Sequence, residues 1–153
     1  MELFDLIKEE DILLDISLGN KEDIIKEMVA RLAKNHGYGS KTEELQKQVL
    51  ARENIGTTAI GRGLAVPHVK SDIVSGIHAC LTYFPEGVEF KSLDGNKTKV
   101  VFLVIAPPDM ADEYLKILAQ ATRVLKDAQN QRILFAPKDR SEILGVLKKV
   151  CTT

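Results

Sequence analysis

Two hydrophobic periods alternate along this chain, and the places where one gives way to the other mark its elements. Ile24, Ile25, Met28, Val29 and Leu32 recur at spacings of three and four, so they line one face of a helix. Asn20 precedes that run as an N-cap and Gly37 follows it as a stop, since a short amide side chain can bond a free N–H and glycine accepts a left-handed turn. A short apolar stretch, Ile12 to Ile16, comes before this helix. Ser40 and Glu43 have capping-box spacing and predict a second helix, with Leu45, Val49 and Leu50 inward and an end near Glu53 or Asn54.

Between Ile55 and Pro67 the helical period disappears. Gly56, Thr57, Thr58, Gly61, Gly63 and Pro67 lie there among small apolar residues, a composition of loop and short strand that admits close approach by a ligand. Ile77 to Phe84 and Lys99 to Ala106 are apolar at both alternating sets of positions, as in strands covered on both faces. Asp94-Gly95 marks a turn between them. After Pro107 and Pro108, Asp109 or Asp112 is positioned to cap a helix with Leu115, Leu118, Ala119, Thr122 and Leu125 on its inner face. A final helix is predicted from Ser141 to Val150. Helices thus bracket the strands at both ends, giving an α/β (α+β) fold with a mixed central sheet flanked by helices on both faces.

Composition narrows the picture. The 153 residues, 44% hydrophobic and 28% charged, suit a single domain, 1–153, with its own core. A formal net charge of -1, with acidic and basic residues interleaved, offers no broad basic surface for nucleic acid. Glu2, Asp5, Glu9, Glu10 and Asp11 near the start are foreign to a signal peptide, and no run is long and apolar enough to span a bilayer. A cytoplasmic location is expected. Cys80 and Cys151 lack C-x-x-C spacing, so neither a redox pair nor a metal site is read from them. Asn96-Lys97-Thr98 fits a glycosylation pattern that matters only in a secreted chain.

Candidate chemistry gathers in one segment, Arg52 to His68, where an arginine, hydroxyls, glycines and a histidine are concentrated. A neutral imidazole carries a free lone pair near pH 7 and attacks phosphorus without a separate strong base. Pro67 fixes its own φ and biases Val66 towards extended backbone, delivering His68 at a strand end or rigid turn. Phosphoryl transfer depends mainly on positioning and on stabilising charge over the equatorial oxygens, which suits the Arg52 guanidinium and the Thr58 hydroxyl. Gly61 and Gly63 would offer loop amides, while Arg62 between them suits either phosphate contact or plain solvation. The segment matches neither G-x-x-x-x-G-K-[ST] nor G-x-G-x-x-G, so nucleotide binding has no motif behind it.

Arg52-Glu53, Thr57-Thr58 and Gly61-Arg62-Gly63-Leu64-Ala65-Val66-Pro67-His68 together resemble the type-two enzyme IIA family of the bacterial sugar phosphotransferase system. The resemblance continues through Phe84-Pro85-Glu86-Gly87-Val88-Glu89-Phe90, Leu93-Asp94-Gly95 and Val101 to Pro107, into the helix near Asp112. It implies that His68 accepts a phosphoryl group from the histidine-containing phosphocarrier protein and hands it to a IIB cysteine. Arg52 would hold the phosphoryl oxygens, and Thr58 with the glycine loop would shape the pocket. No cofactor or metal is implied, and the membrane enters only indirectly, through a IIC permease.

The chain departs from the family at Glu113-Tyr114-Leu115, where many relatives place a second histidine. Tyr114 can hydrogen-bond a phosphate but cannot become a cation. Three readings follow: a sugar-transport relay, a nitrogen-branch regulatory protein whose partner binding depends on His68 phosphorylation, and a relative that binds a partner without transfer. The remaining histidines read as structural. His78 shares an alternating set with Cys80 but has no third ligand, and His36 sits where a cation favours a helix C-terminus. Asp112 and Glu113 read as first-turn carboxylates, and the Leu115, Leu118, Leu125 stripe as core.

Overall fold

The computed structural model describes residues 2–16 and 19–148. A single helical turn, α1 (Leu3–Leu6), and a 3-10 turn (Glu9–Asp11) lead into β1 (Ile12–Leu13). Helix α2 (Lys21–His36) begins as expected, with the Asn20 side chain accepting the Asp23 N–H at 2.8 Å, and stops where Gly37 takes φ +87°. Helix α3 (Thr42–Ile55) starts differently from the prediction. Ser40 falls inside a 3-10 turn, Gly39–Lys41, so it is not at the helix N-cap and no capping box forms. Glu43 instead pairs with Lys47 in solvent.

Three short strands follow: β2 (Ala59–Gly61), β3 (Leu64–Ala65) and β4 (His68–Lys70). The long pair β5 (His78–Val88) and β6 (Thr98–Ala106) comes next, then α4 (Ala111–Lys126), α5 (Ala128–Leu134) and α6 (Arg140–Lys148). Neither predicted cap of α4 is used. Asp109 lies in the 3-10 turn Pro108–Met110, Asp112 is already within the first helical turn, and no side chain caps the helix. Helix α5 was not read from the sequence. Asp127 caps it, accepting the N–H groups of Gln129 and Asn130, a signal hidden by the continuous polar run around it. The predicted end of α6 at Val150 and the second cysteine, Cys151, lie outside the described residues.

The sheet is mixed. Its order is β1-β5-β6-β3-β2, with β4 also paired to β6. Strands β5 and β6 are antiparallel, whereas β3 and β4 run parallel to β6, at Leu64↔Val100 and His68↔Val104. Strand β6 divides its side chains between two cores. Val100, Phe102, Val104 and Ala106 meet α1, α4, α5 and α6 on one face, while Val101, Leu103 and Ile105 meet α2 and α3 on the other. Each of the larger side chains among them stabilises the fold by about 1.5–3 kcal/mol, which is why both alternating sets are apolar.

The inner stripe of α4 is offset by one position from the predicted one. Tyr114, Ile117, Ala121, Val124 and Leu125 are buried, whereas Leu115 is 63% exposed and Ala119 faces solvent. The helix therefore turns Tyr114 inward, as part of the core.

Candidate functional site

His68 opens β4, immediately after Pro67, whose carbonyl accepts the Val104 N–H at 3.0 Å. The strand line β3–β4 is thus broken only at Val66-Pro67, and that break turns the Val66 carbonyl towards the imidazole. His68 Nδ1 lies 2.6 Å from this oxygen. A carbonyl only accepts, so the neutral ring carries its proton on Nδ1 and leaves the lone pair on Nε2. The imidazole is half-buried, with one nitrogen committed to the backbone and the other available for chemistry.

Helices from the two faces of the sheet meet beside it. From one face, the C-terminal turn of α3 supplies Arg52, which donates one N–H to the Gly56 carbonyl at 3.0 Å. From the other, α4 supplies Tyr114, whose ring centroid is 6.1 Å from that of His68. Burial pushes the phenol pKa up to about 12, against an opposing pull from the Arg52 charge. Tyr114 therefore stays neutral across the working pH range, and Arg52 is near enough for its field to reach it.

Thr58 is buried, and its polar groups are turned away from solvent. Its hydroxyl donates to Glu53 Oε1 at 2.6 Å and its N–H to Glu53 Oε2 at 2.9 Å. The hydroxyl expected to face a phosphoryl group is held by a carboxylate instead. Glu53 is itself buried and paired with Lys21 at 2.6 Å. Sequence reading missed both residues: Glu53 was visible only as half of an Arg-Glu pair, and Lys21 lies 32 positions upstream. A cleft of about 690 Å³ runs along this pair, lined by Asn20, Lys21, Glu53, Thr57 and Lys91, and does not include His68.

Gly61, Arg62 and Gly63 are not brought to the imidazole. They make the β2–β3 turn, with φ of +87°, +58° and +81°, and the Arg62 N–H donates to Asp94 at 2.9 Å. A Cβ at Gly61 would lie 2.9 Å from an Asp94 carboxylate oxygen, so glycine is required by conformation and by space. The Gly63 carbonyl pairs with the start of β6, at Lys99 and Val100, whereas His68 pairs at Val104. From Val100 to Val104 a strand advances about 13 Å. The turn and the imidazole thus lie at different ends of the same line, with Arg62 exposed at the far one.

His36 and His78 form a second cluster on the α2 side of the sheet. His36 Nε2 is 2.8 Å from the fully buried Asp11, and its ring stacks on that of His78 at 4.3 Å. The Tyr38 hydroxyl bonds His78 Nε2 at 2.9 Å and also meets Ser75. Desolvation, then repulsion from His36, lowers the His78 pKa to about 4. Cys80 is buried beneath, with its thiol pKa pushed up by desolvation and its Sγ 3.7 Å from the Met28 carbonyl. Among the described residues, no three His, Cys, Asp or Glu side chains are arranged to hold a metal, and no helix is long and apolar enough to cross a membrane.

The family description "Phosphoenolpyruvate-dependent sugar phosphotransferase system, EIIA 2" matches residues 5–150. The chain belongs to this family. It is 32% identical to a nitrogen regulatory protein of Bradyrhizobium diazoefficiens, over 96% of this chain and 95% of that protein. The EIIA fold is shared with the nitrogen regulatory protein IIA-Ntr of Neisseria meningitidis, at a TM-score of 0.87 and 21% identity, over 95% of this chain and 98% of that one. It is also shared with the IIA mannitol enzyme of Escherichia coli, solved in complex with phosphorylated enzyme IIB mannitol. There the TM-score is 0.79 and the identity 24%, over 94% of this chain and 97% of that one. The chain spans only 17–23% of the length of longer fructose-specific, mannosyl-glycerate-specific and multiphosphoryl transfer proteins that it also matches. As an EIIA domain it is a phosphotransferase component.

Proposed function

We propose that this EIIA domain carries a phosphoryl group on His68 Nε2, received from the histidine-containing phosphocarrier protein and passed to a cysteine of a IIB protein or domain, in the cytoplasm. The observation that carries the reading is the 2.6 Å contact between His68 Nδ1 and the Val66 carbonyl, which leaves Nε2 as the nucleophile. In the loading step, the Nε2 lone pair attacks phosphorus and the donor's P–N bond breaks, its electron pair returning to the donor imidazole. In the unloading step, a IIB thiolate attacks the same phosphorus and the electron pair returns to Nε2. Charge on the three equatorial oxygens in each step is met by the Arg52 fork. Tyr114 adds a neutral hydroxyl and excludes water from one side of the ring.

Incubation with phosphoenolpyruvate, enzyme I and the phosphocarrier should give one acid-labile phosphoryl adduct. It should be lost in His68→Ala and retained in His36→Ala and His78→Ala. Label that survives His68→Ala overturns the assignment.

A second reading is a regulatory protein of the nitrogen branch, with partner binding set by the phosphorylation state of His68. It draws support from a relative of matching length, 32% identical, that is named a nitrogen regulatory protein, and from the tyrosine at position 114. Passage of label onward to a IIB cysteine favours transport, whereas partner binding that changes on phosphorylation with no onward transfer favours regulation.

A further inference from the structure

We propose that Glu53, braced by Lys21, is a positioning residue that sets the orientation and tautomer of His68 through Thr58 and Val66. The consequence for transfer rests on the reading of His68 as phosphoryl acceptor; the consequence for the imidazole does not.

A carboxylate 6% exposed is costly to bury unless its oxygens are met by donors. Here they are: Lys21 Nζ and the Thr58 N–H reach Oε2, and the Thr58 hydroxyl reaches Oε1. Two bonds from one carboxylate to one residue fix the Thr58 peptide in both position and rotation, as a single bond would not. After α3 ends, Gly56 is exposed and extended, Thr57 is anchored by its hydroxyl to the Phe90 carbonyl at 3.1 Å, and Thr58 is the first buried residue of the hairpin. Its carbonyl accepts the Val66 N–H at 3.0 Å. The Val66 carbonyl, on the same residue, accepts from His68 Nδ1 at 2.6 Å. Contacts thus run without interruption from Lys21 to the imidazole.

Charge-assisted bonds are the stiff ones in such a series, and they stand at its root. Lys21 is held in addition by Thr57 Oγ1 and the Phe90 carbonyl, both at 3.3 Å. Without the clamp, the peptide that bears the Thr58 carbonyl keeps, on the α3 side, only the bond from its Ala59 N–H to the Thr57 hydroxyl, at 3.1 Å; the Val66 carbonyl then wanders from the line of Nδ1–H, and the ring gains access to the other tautomer. A ring that carries its proton on Nε2 has no lone pair there.

The test begins with nitrogen-15 spectra of the imidazoles in the unphosphorylated protein, with His68 assigned by His68→Ala. The native protein should show the Nδ1–H form. Glu53→Gln should bring His68 towards a mixture of tautomers and slow transfer from the phosphocarrier by roughly ten- to a hundredfold. Lys21→Met and Thr58→Val should shift the spectrum in the same direction by less, and Thr58→Ser should restore it. Ile143→Val, in α6 and outside the run of contacts from Lys21 to His68, serves as a destabilised control that should move neither readout. A folded Glu53→Gln with native tautomer and native rate overturns the proposal. Should Glu53→Gln fail to fold, an unchanged spectrum in both Lys21→Met and Thr58→Val overturns it equally. Tautomer shifts in a protein that accepts no label would uphold the positioning role while removing the proposed function.

Discussion

At Tyr114, burial governs the chemistry more than reactivity does. The ring sits within the core that α4 makes with the sheet, 6.1 Å from His68, and remains a phenol at any pH the protein meets. A histidine there, as the family resemblance leads one to expect, would add a group that takes a proton near neutrality. Tyr114→His is expected to speed phosphoryl transfer by roughly tenfold, because a cation would stand beside the developing charge. The same change buries a more polar ring and should cost about 1–3 kcal/mol of stability. Rapid-mixing measurement of label transfer checks the first effect and urea unfolding the second; a rate equal to or below that of the native protein counts against the electrostatic argument. Residue identity made His68 and Arg52 candidates, since imidazole and guanidinium are phosphate-handling groups, but an ordinary turn holds the same residue types, and the family resemblance was needed to choose between the two. It could not point to Lys21, since an ion pair closed by folding leaves no periodic trace.

At the scale of elements, the Gly61-Arg62-Gly63 turn shows how one short string can serve two purposes at once. Read as sequence, its glycines belong to the motif that ends in His68; read as backbone, they turn β2 into β3 about 13 Å away. Gly61→Ala forces a side chain into left-handed backbone, at roughly 1–2 kcal/mol, and displaces the Asp94 carboxylate that holds the Arg62 N–H. Denaturant unfolding should register that loss, while the transfer rate per folded molecule should hold. A large fall in rate would show that the turn acts on the imidazole after all. Helix α2 was legible because burial of one face enforces a period, and strands β5 and β6 because burial of both faces gives a continuous apolar run. The start of α3 and the register of α4 were not: a 3-10 turn precedes each, and each such turn shifts the following helix relative to its apparent cap. One position of shift was enough to put Leu115 in solvent and Tyr114 beside the site.

For the whole molecule, the cluster of Asp11, His36, Tyr38, Ser75 and His78 ties three distant stretches of chain together and links stability to pH. The His78 pKa is lowered to about 4 in the fold, first by burial and then by His36, with Asp11 opposing. Unfolded, the same imidazole titrates near 6.5. Between these values the unfolded chain holds more protons, so stability rises with pH across that window and is lost as pH falls through it. Urea midpoints measured from pH 7 down to pH 4 should drop more steeply for the native protein than for His78→Asn; parallel profiles would sink the burial argument.

The bond from His68 to the Val66 carbonyl has a consequence for how such a protein would work in repeated use. A group attached at Nε2 leaves Nδ1–H and its acceptor undisturbed, so the same ring orientation serves the charged and the empty protein. The bond that orients the ring need not be remade between arrival and departure. If His68 is the carrier, such a shuttle requires no reorganisation of the ring on either step. On that reading the imidazole would meet donor and acceptor in one and the same pose.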